Sequence, residues 1–157
     1  MNPAQIGQLI NENKTGDALK ILLGISEKTN WIQNALAVSY MRQGNAEKAV
    51  STLLDAVYQK NSVVIKPGVS DTTKLNLAAA MLLAGRVEGG LSVLNEVQHD
   101  LPMKKQLENA FQNWKKQQPI GSKILMALGV YPTNKPVAMD FPPGQIEVDL
   151  KAEHFAR

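Results

Sequence analysis

Cysteine is missing from all 157 residues, so neither a disulfide nor a thiolate metal site holds the chain together and its stability rests on packing. That suits a reducing compartment. Long hydrophobic runs are missing as well. No stretch reaches the roughly 18 consecutive apolar residues that span a bilayer, and Met1 to Ile10 has neither the basic nor the apolar region of an export signal. The expectation is a soluble, cytoplasmic protein with no membrane contact. Charge of one sign is scarce: 17 basic side chains stand against 14 acidic ones, a net +3. Nucleic-acid binding needs that excess gathered on one surface. The best cluster, Lys104, Lys105, Lys115 and Lys116, shares a predicted helix with Leu107, Phe111 and Trp114, so it reads as that helix's solvated face. No nucleic-acid partner is expected.

The parts of a catalytic site are also wanting. The two histidines, His99 and His154, have no metal-like spacing, and His99 beside Asp100 reads as an imidazolium near the last carbonyls of a helix. Gly85-Arg86-Val87-Glu88-Gly89-Gly90 follows a helix rather than a strand and lacks the lysine and hydroxyl of a phosphate loop. Glu47 and Glu88 open predicted helices, where a carboxylate complements the helix dipole. The chain therefore reads as a non-enzyme with no catalytic residue, no metal and no cofactor.

What the chain does have is an internal pattern. One segment runs from Asn34 through Leu36, Ala37, Tyr40, Gly44, Ala49, Val50 and Leu53 to Ala56, and a second from Asn76 through Ala78, Met81, Gly85, Gly90 and Leu94 to Pro102. A worn copy opens the chain with Ile6, Leu9, Asn13, Ala18, Leu22 and Ile25. The spacing agrees better than the identities. The first marker lies 12 residues before the second in each copy, at 6 and 18, 37 and 49, 78 and 90, and seven residues after the first comes Asn13, Gly44 or Gly85. These residues tolerate positive φ, which a helix that reverses at once requires. Small residues at Ala37, Ala49, Ala56, Ala78 and Gly90 let two antiparallel helices approach, with Leu36, Tyr40, Val50 and Leu53 as apolar bulk at helical spacing.

This series resembles the tetratricopeptide repeat over roughly residues 3 to 102, most specifically at Leu36-Ala37, Tyr40, Gly44, Ala49, Leu53 and Ala56. The family period is about 34 residues, whereas the first marker here moves 31 and then 41. The long step is expected to hold an insertion at Asn61 to Ser70, around Pro67-Gly68. The expected fold is all-α, antiparallel helical hairpins stacked as a short tetratricopeptide-like superhelix. Its repeats are placed at 3–28, 30–60 and 71–102, with capping helices in 103–128, in a domain of residues 1–129. Helices are predicted at 3–13, 15–28, 30–43, 46–60, 71–84, 86–99, 103–117 and 121–128.

Residues 130–157 form a second region. Pro132, Pro136, Pro142 and Pro143 exclude a long helix across its first half. Val137, Met139 and Phe141 alternate with polar or small neighbours, as do Ile146, Val148 and Leu150, so this extended tail is able to pair as a β-hairpin. Such a hairpin is marginal alone and needs a cover.

The resemblance implies a concave groove lined by the first helix of each hairpin. Wheel arithmetic puts Trp31, Asn34, Val38 and Met41 on one stripe, continued by Thr72, Leu75, Ala79 and Leu82 and by Gly7 and Ile10. The candidate groove residues are Ile10, Trp31, Asn34, Val38, Met41, Leu75, Ala79 and Leu82. Family members that grip acidic chaperone tails use a lysine, arginine and asparagine clamp. Here those places hold Ala35, Trp31 and Thr72 with only Asn76 retained, which disfavours that ligand. The expected function is a scaffold or chaperone-like module that binds an apolar peptide or helix of a partner. The alternative is a self-associating structural protein, such as a homodimer, whose own tail docks on a neighbouring copy.

Overall fold

The three residues expected to reverse the chain do so: Asn13, Gly44 and Gly85 have φ of 61°, 76° and 75° in a computed structural model, which describes residues 2–147. A Cβ at such φ crowds the following carbonyl, so glycine and asparagine take these places. Each turn closes a helical pair: α1 (Pro3–Asn11) with α2 (Thr15–Leu23), α3 (Asn30–Arg42) with α4 (Ala46–Val57), and α5 (Asp71–Leu83) with α6 (Val87–Asn95). The hydrogen bonds repeat too. The amides of Lys14, Asn45 and Arg86 reach back to the carbonyls of Leu9, Tyr40 and Met81, each at 2.8 Å, which occupies acceptors that a helix end otherwise leaves unpaired. At the opposite ends, the side chains of Asn2, Thr29, Asn45 and Ser70 accept from amides in the first turns of α1, α3, α4 and α5; such a cap stabilises a helix by about 1 kcal/mol.

Close approach follows from side-chain size. Ile6, Ala18, Ala37, Ala49 and Ala78 are all buried, and a Cβ added to Gly90 would stand 3.0 Å from Leu82 Cδ2 and 3.2 Å from the Ala78 carbonyl oxygen. Each helix from α1 to α5 packs on the next, while α1 also touches α3 and α3 touches α5. The odd-numbered helices thus lie side by side along one flank of the body. α7 (Pro102–Gln117) packs on α5 and buries Met103, Leu107, Ala110, Phe111 and Trp114. Lys105 and Lys116 on its other side are exposed, as a solvated face requires.

Several boundaries differ from the pattern. α2 stops at Leu23 rather than 28, and the Lys28 ammonium donates to the carbonyls of Leu22 and Ile25 just beyond it. α4 stops at Val57 because Tyr58 turns extended and bridges Ile65 across the expected insertion, in which Asn61 and Gly68 adopt positive φ. α6 ends at Asn95, and His99 caps no carbonyl of that helix. Its ring and amide instead meet Asp71 Oδ2 at 2.6 and 3.0 Å, at the start of α5. The last helix, α8 (Ile120–Ala127), was expected to cap the array but buries only Met126 and leaves Ile124 and Leu128 exposed.

The tail is not a hairpin over the described residues. Its two alternating stretches do not pair with each other; each faces the helices. Val137 is fully buried, Met139, Phe141 and Ile146 are partly buried against the core, and Ala138, Asp140, Gln145 and Glu147 point outward. Val148 and Leu150 lie outside the described residues.

Candidate functional site

The flank formed by α1, α3 and α5 gathers the eight candidate residues. Ile10, Val38, Leu75, Ala79 and Leu82 are 0% exposed, Asn34 and Met41 3%, and Trp31 is half-buried. That is less surface than an open groove offers, because residues 137–147 of the same chain run across it with neither helix nor paired strand.

The tail buries Val137 and packs Met139, Phe141 and Ile146 on the core, while its polar contacts with the flank are made through its main chain. At the α5 end the Val137 amide donates to the Leu82 carbonyl at 2.9 Å. In the middle, Asn76 treats Gln145 as a neighbouring strand would: its Nδ2 donates to the Gln145 carbonyl at 2.7 Å, and the Gln145 amide donates to its Oδ1 at 2.8 Å. The second N–H of Asn76 reaches Asn34 Oδ1 at 2.8 Å, and Asn34 Nδ2 makes a long 3.5 Å contact to the same Gln145 carbonyl. Which amide atom is oxygen follows from this network. An unpaired buried amide costs about 1–3 kcal/mol, and none of the buried side-chain polar atoms among the described residues lacks a partner. At the α1 end, Trp31 Nε1 donates to the Glu147 carbonyl at 2.8 Å.

Arg42 completes the set. Its Nη1 holds the Ile10 carbonyl at 2.7 Å, while Nε and Nη2 hold the carbonyls of Pro143 and Gly144 at 3.3 and 3.2 Å. Burial pushes its pKa below the usual arginine value, yet a guanidinium stays charged at any physiological pH. No carboxylate pairs with it among the described residues, so the carbonyls solvate the charge. Gly144 is buried against the wall. Its φ is +83°, and a Cβ there would lie 2.8 Å from both Met41 Cε and Val38 Cγ2. Beyond Ile146 the channel widens into a mostly apolar cleft of about 430 Å³, lined by Pro3, Ala4, Gly7, Asn11, Trp31 and Ile146.

The flank thus presents apolar walls, N–H donors for the carbonyls of Pro143, Gly144, Gln145 and Glu147, and two acceptors, the Leu82 carbonyl and Asn76 Oδ1, for the amides of Val137 and Gln145. No family model, curated protein or solved structure matches this chain.

Of the candidates, Trp31, Asn34, Val38, Met41 and Leu82 meet the tail directly through the contacts above. Ile10 enters through its carbonyl and Arg42. Leu75 and Ala79 sit in the same core with no polar contact to the tail. Two residues absent from the candidate set do most of the polar holding, Asn76 and Arg42. Asn76 was visible as the one clamp-like place retained. Arg42 was visible as a cation four residues after Val38 on a mostly apolar stripe, a placement that burial makes costly unless something accepts its hydrogen bonds. Among the described residues no three acidic or imidazole groups come together as a metal site would need, and no helix is long and apolar enough to cross a membrane.

Proposed function

We propose that this chain is a protein-interaction module, a short tetratricopeptide-like superhelix that holds a polypeptide segment along the flank of α1, α3 and α5 and performs no chemistry of its own. One observation carries the reading: the flank already holds a non-helical segment, through donors that meet the carbonyls of Pro143, Gly144, Gln145 and Glu147. The geometry favours an extended peptide over the helical ligand that the sequence left open, because a helix keeps its carbonyls for itself. Partner residues with apolar side chains on alternate positions fit the places taken here by Val137, Met139 and Phe141.

Panning a random-peptide display library against the immobilised full-length protein tests this. Extended sequences with alternating apolar residues should be enriched, and Trp31→Ala should weaken them by about tenfold or more through loss of an aromatic anchor and its N–H. Ligands that ignore Trp31 overturn the reading, and so does a folded protein that enriches nothing both as the parent and with Gly144→Val, which crowds the resident segment off Val38 and Met41. Trp31 is the cleaner probe, since charges at Met41 or Leu82 would enter the core and attack the fold as well as the groove. The second reading, exchange of tails between copies, predicts a mass that rises with concentration in light scattering.

A further inference from the structure

We infer that the segment Pro143-Gly144-Gln145-Ile146 is a built-in occupant that mirrors the partner: the groove selects an extended peptide with glycine opposite Val38 and Met41, and the partner enters only by displacing this segment. The inference rests on the peptide-holding reading and adds to it a sequence requirement and a gate.

Selection comes from one position. Trp31, Arg42 and Asn76 all address main-chain atoms, so those contacts form with any extended chain whatever its side chains. At Gly144 the walls leave no room for a Cβ, and φ there is positive. Two demands, the space beside the Val38 methyls and a backbone conformation that side chains rarely adopt, favour glycine over every L residue. The residue after the glycine is freer: the Gln145 side chain is exposed, while its amide and carbonyl are both taken by Asn76. Ile146 then turns back inward beside the apolar cleft. The motif is therefore glycine, any residue, apolar. Proline before the glycine fits because it has no N–H to leave unpaired and is already extended.

Gating follows from covalent attachment. A tethered segment acts at an effective concentration in the millimolar range, so a free peptide of equal intrinsic affinity competes poorly until the tethered copy is spoiled. Gly144→Val spoils it without touching the walls. A fluorescent peptide with the sequence of residues 136–147 should bind full-length Gly144→Val protein at least about tenfold more tightly than the parent. The same peptide with valine for its glycine should bind neither protein, and adding Asn76→Ala to the variant should abolish capture.

A folded Gly144→Val protein that binds the peptide no better than the parent overturns the gate. Equal binding of the glycine and valine peptides overturns the selection, even if panning has found other ligands and the peptide-holding reading stands. Should the variant fold poorly, the parent decides the matter: with 15N-labelled parent and millimolar unlabelled peptide, the amides of Val137 and Gln145 should shift and lose protection. Binding that leaves those two amides unmoved overturns the proposal, and so does a parent that sediments as a dimer with exchanged tails.

Discussion

The α3–α4 and α5–α6 hairpins are two copies of one design set 41 residues apart, and they agree where the fold is made but differ where the tail is held. Ala37 matches Ala78, Gly44 matches Gly85, and the cap Thr29 matches Ser70. Across the tail-facing side, Trp31, Asn34 and Arg42 of the first copy become Thr72, Leu75 and Leu83 in the second, while Ala35 becomes Asn76. Repetition fixes where helices cross and turn. The departures from repetition mark the residues that hold the tail.

Breaking the shared part should cost most. Ala49→Leu should overpack the α3–α4 crossing by about 1–3 kcal/mol. Gly90→Leu should cost more than Ala49→Leu, because Leu82 and the Ala78 carbonyl already stand at 3.0 and 3.2 Å from the place of the first added carbon. Urea denaturation of both variants measures the difference. Equal losses would mean that the two crossings are equally close.

The two turns differ in what surrounds them. Gly44→Ala and Gly85→Ala share a backbone cost of about 1–2 kcal/mol for a Cβ at positive φ. Only at Gly85 does that Cβ also meet the tail, 2.8 Å from the Lys135 nitrogen, whereas nothing lies within 4 Å of it at Gly44. Gly85→Ala should therefore be the more destabilising of the two and should alone speed exchange of the Val137 amide. Matching exchange in both variants would detach the second turn from the tail.

The smallest expected difference is ionic. α3 begins with Asn30, but α5 begins with Asp71, placed among Lys74 and His99. Burial works to raise the Asp71 pKa and is outweighed by the His99 amide and ring and by the Lys74 ammonium, which bring it down to about 2. A lowered carboxylate pKa means stability that is fully present above about pH 4 and is lost as pH falls through about 2. The contribution is at most about 2 kcal/mol, and less in salt, because the His99 side chain is 78% exposed. Parent and Asp71→Asn should converge in denaturation midpoint between pH 5 and pH 2.5, and a constant gap would remove Asp71 from the account.

The helical body was legible because periodicity, small residues and turn residues all reported the same crossings. Ile6, Ala37 and Ala78 are buried and Asn13, Gly44 and Gly85 turn as expected, since local conformation and packing demand the same residue types. Helix ends were less legible: Lys28 donates to the Leu22 carbonyl at the end of α2, and Lys74 of α5 donates to the Glu96 carbonyl just past α6, side-chain contacts that apolar periodicity does not display. The alternation of Val137, Met139 and Phe141 correctly marked an inward face. It was silent about whether the tail pairs with itself or with the helices, because period two is common to both. Asn76 and Arg42 escaped the candidate set for a related reason. Their partners are carbonyls, which every residue carries and no sequence displays.

The contact between Trp31 and Glu147 joins positions 116 residues apart in the chain, whereas the hairpins close between neighbours. Local pairs form before distant ones, so assembly has an order, and synthesis enforces it. Sixty-five residues separate Leu82, the last wall of the groove, from Glu147. At the usual pace of about 5–20 residues per second, a ribosome takes about 3–13 s to add them. Each newborn copy therefore passes through an interval in which the walls have been made and their occupant has not, and a ligand present then meets no competitor.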